Sequence, residues 1–194
     1  MKTHISIFVI FTLLLFSCTD RLDETIFIPD EDNPDLPAYT EWGYNAFGAV
    51  YEQDIITSTN NTTPCKIIYK NGTLDFLLMG RVSNWKEATL TFSFPLLPEV
   101  KTIFDLEVLH DFTVNLAENC TVKLEVNNTQ TTLTGVSGKL HFKRFQLLRV
   151  DEKVNRIILS GIFDVKFQKN GLPETISDGR FDMGITDKEF SYSK

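Results

Sequence analysis

Beyond its first forty residues the chain alternates between apolar and polar positions. In the stretch EATLTFSF, Ala88, Leu90, Phe92 and Phe94 fall on one side, opposite Glu87, Thr89, Thr91 and Ser93. In CTVKLEVN, Cys120, Val122, Leu124 and Val126 share a face, and in RIILSGIFDVKFQ the inward set is Ile157, Leu159, Phe163, Val165 and Phe167. A period of two over such lengths predicts half-buried strands, and Thr, Val, Ile and Phe suit a pleated surface. Turn signals punctuate the runs at Asn71-Gly72, Gly135 to Gly138, Lys169-Asn170-Gly171 and Asp178-Gly179. Asn-Gly and Asp-Gly tolerate the positive φ of tight turns, so IIYKNGTLDFLLM reads as a hairpin folding at Asn71-Gly72. The inward parity switches between Phe142 and Phe145, the mark of a bulge. Ile103 to Leu116 reads as two strands broken at His110-Asp111, with even positions apolar except His110. No helical stripe with capping signals follows the first residues. These patterns predict an all-β domain, an antiparallel β-sandwich or flattened barrel of about nine or ten strands. A lipocalin-like closed barrel is the alternative, although Trp42-Gly43 reverses the Gly-x-Trp order of that group.

The start of the chain follows a different pattern. Lys2 and His4 precede an apolar core from Ile5 to Phe16, about a dozen residues where a spanning helix needs roughly twenty. A basic start, a short apolar core and a small residue make a secretory signal rather than an anchor. Leu15-Phe16-Ser17-Cys18 resembles the bacterial lipobox, which implies a leader over residues 1–17, cleavage before Cys18 and a diacylglycerol on the Cys18 sulfur. Acyl chains contribute about 0.8 kcal/mol of membrane affinity per buried CH₂. Residues 18–38, rich in Asp, Glu and Pro, read as an extended, solvated tether. Acidic residues soon after the lipidated cysteine also resemble the surface-export signals of Bacteroidetes lipoproteins. Residues 39–194 form the single β domain, and outer membrane or cell surface is the expected location.

Net charge changes the list of partners. At −7, with no basic run longer than Lys143-Arg144, the chain is unsuited to nucleic acid or to docking on anionic lipid. Loss of the leader removes only Lys2 and makes the balance more acidic. With Cys18 acylated, Cys65 and Cys120 remain. An exported pair permits one disulfide, and two small buried hydrophobes fit the same residues. His110 and His141 stand at no metal-ligand spacing from either thiol. No cofactor or metal is expected.

Candidate chemistry is sparse. Gly135-Val136-Ser137-Gly138 lacks the spacing of a nucleophile elbow and reads as a flexible turn. No His-Glu-x-x-His, P-loop, dinucleotide fingerprint or EF-hand loop occurs. Asp164, Asp178 and Asp182 could supply an acid pair for glycoside cleavage only if held about 5–10 Å apart. Asp178-Gly179 is more simply a turn, with Arg180 and Asp182 placed for a cross-strand ion pair to Asp164 or Lys166. Trp42, Tyr44, Phe47 and Tyr51 are dense in aromatics. Trp42, Tyr44 and Trp85 are the candidates for contact with a sugar or apolar ligand, with core packing as the alternative.

Two stretches resemble a domain family of unknown function in Bacteroidetes lipoproteins. Asn45, Phe47, Gly48 and Ala49 match its opening N-[TA]-F-G-[AC]. Ser160, Gly161, Phe163, Asp164 and Asp178 to Asp182 match its closing SG-[TI]-F-[ED]…DGRFD. The resemblance implies the β class and the extracytoplasmic location, and it makes Asp178, Gly179, Arg180 and Asp182 a structural motif. It carries no activity. The expected function is a non-catalytic binding domain for a glycan or a partner protein, with the membrane engaged through Cys18. The alternatives are an assembly subunit of a surface complex and, last, a glycan hydrolase.

Overall fold

The computed structural model describes residues 24–59, 63–82, 85–150 and 153–194. Cys18, the leader and the first part of the tether lie outside them. Strand accounts for 63% and helix for 4%, so the all-β class holds. The strands are β1 (Ala46–Tyr51), β2 (Asp54–Thr57), β3 (Cys65–Lys70), β4 (Thr73–Val82), β5 (Lys86–Pro95), β6 (Phe112–Asn115), β7 (Thr121–Val126), β8 (Thr129–Thr132), β9 (Thr134–Val150), β10 (Lys153–Lys169), β11 (Leu172–Ile185) and β12 (Phe190–Ser193). Ten of them form one continuous path, β6-β9-β10-β11-β1-β2-β4-β5-β7-β8, every ladder antiparallel. β3 pairs with β4, and β12 runs parallel to β3, the one departure from antiparallel pairing among the described ladders.

The path curls into a half-barrel, within the expected sandwich or flattened barrel. The lipocalin-like closed alternative does not form, because among the described residues the edge strands β6 and β8 share no ladder. Curling brings the inner faces of the two halves together. Phe76 of β4 meets Phe142 of β9 and Phe181 of β11 at ring-centroid distances of 5.2 and 4.9 Å, and Phe92 of β5 meets Phe163 of β10 at 5.3 Å. All five rings are buried, and aromatic pairs at such distances add about 0.5–1.5 kcal/mol each beyond area burial. Bulges supply the bend. One skips Lys143, where the alternation predicted it, and another lies in β11 opposite Asp164.

Three turn or strand expectations need correction. Asp178-Gly179 is not a turn. Both residues lie inside β11 at the bulge, with Asp178 at φ 52°, and Gly179 leaves room for the Phe163 ring, which an added Cβ would meet at 2.4 Å. Gly135 to Gly138 also lie within a strand, β9. Ile103–Leu109 is a 3₁₀ helix rather than a strand. Ile103, Leu106 and Leu109 are buried at a period of three, which suits that helix. The Asp105 carboxylate caps it by accepting from the Thr102 N–H and hydroxyl at 2.8 and 3.0 Å.

The tether is the fourth correction. From Glu24 to Ala38 the chain is folded against the body, not extended in solvent. Leu36 is fully buried, Pro37 packs on Gly48, and Pro29 bridges Pro37. Arg180 donates to Asp30 at 2.5 Å, replacing the expected pairing with Asp164 or Lys166. Backbone N–H groups of Asn33 and Asp32, with the Arg180 guanidinium, hold the Asp30 carboxyl below its ordinary range. Just beyond this strap the Asp182 carboxylate, almost wholly buried, accepts from the Thr40 hydroxyl at 2.5 Å and from the N–H groups of Trp42, Gly43 and Tyr44 at 3.0, 2.7 and 3.2 Å. One anion thus fixes the loop that feeds β1.

Replacing Asp182 with Ala should lower stability by about 2–4 kcal/mol, because several donors lose a charged acceptor together. Urea unfolding checks the size. Hydrogen exchange should show the loss of protection at Trp42 to Tyr44, and unchanged exchange there would contradict the clasp.

Candidate functional site

Three hairpin turns, Glu52-Gln53 between β1 and β2, Asn127-Asn128 between β7 and β8 and Asn170-Gly171 between β10 and β11, gather with the paired strand ends Val82 and Lys86 at one end of the half-barrel. Glu52, Asn127, Asn128 and Asn170 take positive φ there, which Asn tolerates better than most residues. Between the converging turns the interior is left unfilled, giving a cleft of about 590 Å³. That volume lies within the range of small-molecule sites.

The walls are mixed. Tyr51 and Phe167, stacked at 6.5 Å, stand with Val82, Leu124, Val126 and Leu133 as the apolar part. Thr129, Thr131, Thr132 and Thr134 line the β8 side, Gln168 and Asn170 the β10 side, and Asp54 and Lys86 bring opposite charges to the rim. All four residues of β8 are exposed, so its hydroxyls are open to solvent and to a ligand.

Lys169 organises the rim. Its Nζ donates to the Tyr51 hydroxyl at 3.0 Å and to Glu52 Oε1 at 3.1 Å, lies 3.4 Å from Glu174 Oε2, and sits 5.5 Å from the centre of the Tyr51 ring. The bonds to Tyr51 and Glu52 hold the lysine above its ordinary range. The two carboxyls part in opposite directions. A hydrogen bond from Glu174, then Lys169, lowers Glu52, whereas burial and then the Glu52 anion raise Glu174. Glu52 takes the hydrogen bond from the lysine while the less exposed Glu174 does not, which accounts for both directions. The contact between Glu174 Oε2 and Lys169 lacks hydrogen-bond geometry, and that oxygen is buried without a hydrogen-bond partner.

The sequence candidates fall elsewhere. Trp42 is 72% exposed and Tyr44 half-buried at the start of β1, whereas the cleft lies at its far end. Trp85, 82% exposed, stands at the β4–β5 turn on the cleft side, with the Arg81 guanidinium 5.8 Å from its ring. The structure therefore separates Trp42 and Tyr44 from Trp85 instead of gathering all three. Cys65 and Cys120 are free thiols, not a disulfide. β4 and β5 lie between their strands, about 14 Å in all at 4.7–4.9 Å per step, and a bridge needs Cα atoms within about 7 Å. Burial raises both, Cys120 to about 11. Asp164 accepts from the Asp178 N–H at 3.2 Å, and Asp182 serves the clasp, so the three aspartates form no reacting pair. His141 contacts Asp111 at 2.9 Å, and His110 Nδ1 accepts from the Phe145 N–H at 3.2 Å. Among the described residues no three His, Cys, Asp or Glu side chains come together as metal ligands. No helix of these residues is long and apolar enough to cross a membrane.

Sequence reasoning missed Phe167, Lys169, Glu52 and Glu174 as rim residues. Tyr51 was visible among the aromatics, but its partner Lys169 is 118 residues away. One signal was present. In TQTTLT the threonines occupy both faces of a strand, which is unusual where one face must pack.

The carboxyl pair makes a prediction with a defined sign. Raised Glu174 contributes stability that is complete below the ordinary 4.5 and is lost as pH climbs through its raised value. Lowered Glu52 contributes stability present above 4.5 and lost as pH falls through its lowered value. Glu174→Gln mimics the protonated form, so its urea midpoint should exceed that of the wild type at pH 7 and converge with it under acid conditions. A lower midpoint at pH 7 would contradict the raised Glu174.

Comparison of the chain with protein-family models, with curated proteins and with solved structures found no match.

Proposed function

We propose that the protein is a lipid-anchored, extracytoplasmic binding domain whose end cleft takes a carbohydrate. One observation carries the binding half of this reading. A cleft of about 590 Å³ combines the Tyr51–Phe167 aromatic pair with a bank of threonine hydroxyls and the amides of Gln168 and Asn170. Sugars present C–H faces to aromatic rings and hydroxyls to such groups, and few precisely placed polar groups on an apolar wall are what orient a small ligand. The ion pairs of Lys169 with Glu52 and Glu174 balance charge at the rim.

The anchoring half rests on the leader and on Leu15-Phe16-Ser17-Cys18, with the resemblance to Bacteroidetes lipoproteins in support. It implies the outer membrane or the cell surface. A second reading, an interaction subunit for a partner protein, draws on β8. This strand pairs with β7 alone among the described ladders, and so offers a free edge for strand addition.

Two experiments separate the halves. Cys18→Ser should abolish palmitate labelling and move the protein from the membrane fraction to the soluble one, and persistent labelling would exclude the anchor. Thr131→Trp should fill the cleft from an exposed position without loss of folding. It is expected to weaken binding to any oligosaccharide that the wild type retains by at least tenfold, or about 1.4 kcal/mol. Unchanged binding in that variant would place the ligand elsewhere.

A further inference from the structure

The cleft has a neighbour. The β1–β2 hairpin sends Tyr51 and Asp54 to the first cleft and Gln53 and Ile55 to a second of about 530 Å³, and Val82 borders both. The two concavities therefore share a wall that is only one hairpin thick. Arg81 and Trp85 stand on the rim of the second.

Trp85 is the unusual residue of this surface. Its backbone has φ 68°, a left-handed conformation that bulky side chains rarely adopt, and its indole is 82% exposed. Burial does not explain an aromatic ring held there. Strained residues of this kind gather at ligand sites, where the surroundings hold a side chain ready. Arg81 lies 5.8 Å from the ring centre, a cation–π contact that steadies the indole while leaving most of it in solvent.

We propose that the two clefts form one extended site for an uncharged oligosaccharide, with Tyr51 and Trp85 as stacking platforms on opposite sides of the β1–β2 hairpin. This deepens, and rests on, the carbohydrate reading of the first cleft. Charge favours an uncharged chain over an acidic one. Lys169 is matched by Glu52 and Glu174, Lys86 shares its rim with Asp54, and Arg81 shares its rim with Asp35. A single sugar has no reason to engage Trp85, whereas a longer chain crossing the hairpin reaches both rings.

The test uses the full chain carrying Cys18→Ser, applied to a microarray of neutral and uronic-acid-containing oligosaccharides of two to eight units. Calorimetric titration of the bound series then compares short and long members. The longest neutral members should bind at least tenfold tighter than the disaccharide, and Trp85→Ala should remove that increment while melting as the parent does. Tyr51→Ala should weaken every member. Affinity independent of chain length, or a length increment that survives Trp85→Ala, would overturn the extended site and leave the single cleft standing. Retention of acidic members alone would overturn the uncharged assignment. No retention of any saccharide would overturn the carbohydrate reading itself.

Discussion

A single sheet that has to bury its own face has one solution, which is to bend until its two halves meet. Here the meeting is made by phenylalanine rings, with Phe76 against Phe142 and Phe181 and Phe92 against Phe163. Flat, the same strands would expose one aromatic face along their whole length. Bent, they enclose it, and the bulges at Lys143 and Asp178 with the bare backbone of Gly179 are what the bend requires. The cleft is a by-product of the same geometry. It is the end of the interior where the hairpin turns splay and side chains no longer reach across.

β1 links that end to the other. At its start the Asp182 carboxylate gathers the donors of Thr40 to Tyr44, and at its finish Tyr51 stacks on Phe167 and accepts from Lys169. The strap from Glu24 to Ala38 lies over the middle, where Gly48 has no side chain to oppose Pro37. The position of Tyr51 in the cleft is thus set by contacts along the whole strand rather than by the turn that follows it.

Much of this was legible where the signal is local. The alternation of β5 and β10, the hairpin at Asn71-Gly72, the turn at Asn170-Gly171 and the parity switch at Phe142 to Phe145 follow from neighbouring residues alone. Failures arose where two patterns fitted equally. Between Ile103 and Leu109 a period of two through Phe104, Leu106 and Val108 competes with a period of three through Ile103, Leu106 and Leu109, and the cap at Asp105 decides for the latter. Asp178-Gly179 has the positive φ of a turn, but a bulge needs it as well. The strap was hidden by its acidic composition, which outweighs the buried pair Leu36-Pro37 in any reading by averages. The site was the least legible part, because Tyr51, Phe167 and Lys169 meet only through the register of ladders that the sequence does not print.

The sheet order also constrains when the molecule can become itself. β1, near the beginning, is hydrogen-bonded to β11, near the end, and β3 receives β12 as a parallel neighbour. Neither early strand has its full complement of partners until the last fifty residues of the polypeptide are present. Pairings of such sequence separation must overcome loop-closure entropy before they yield any stabilisation, which makes for slow folding. A chain threaded across a membrane from its N-terminus would therefore emerge with its earliest strands unsatisfied, and would need shielding from aggregation until Phe190 to Ser193 arrived.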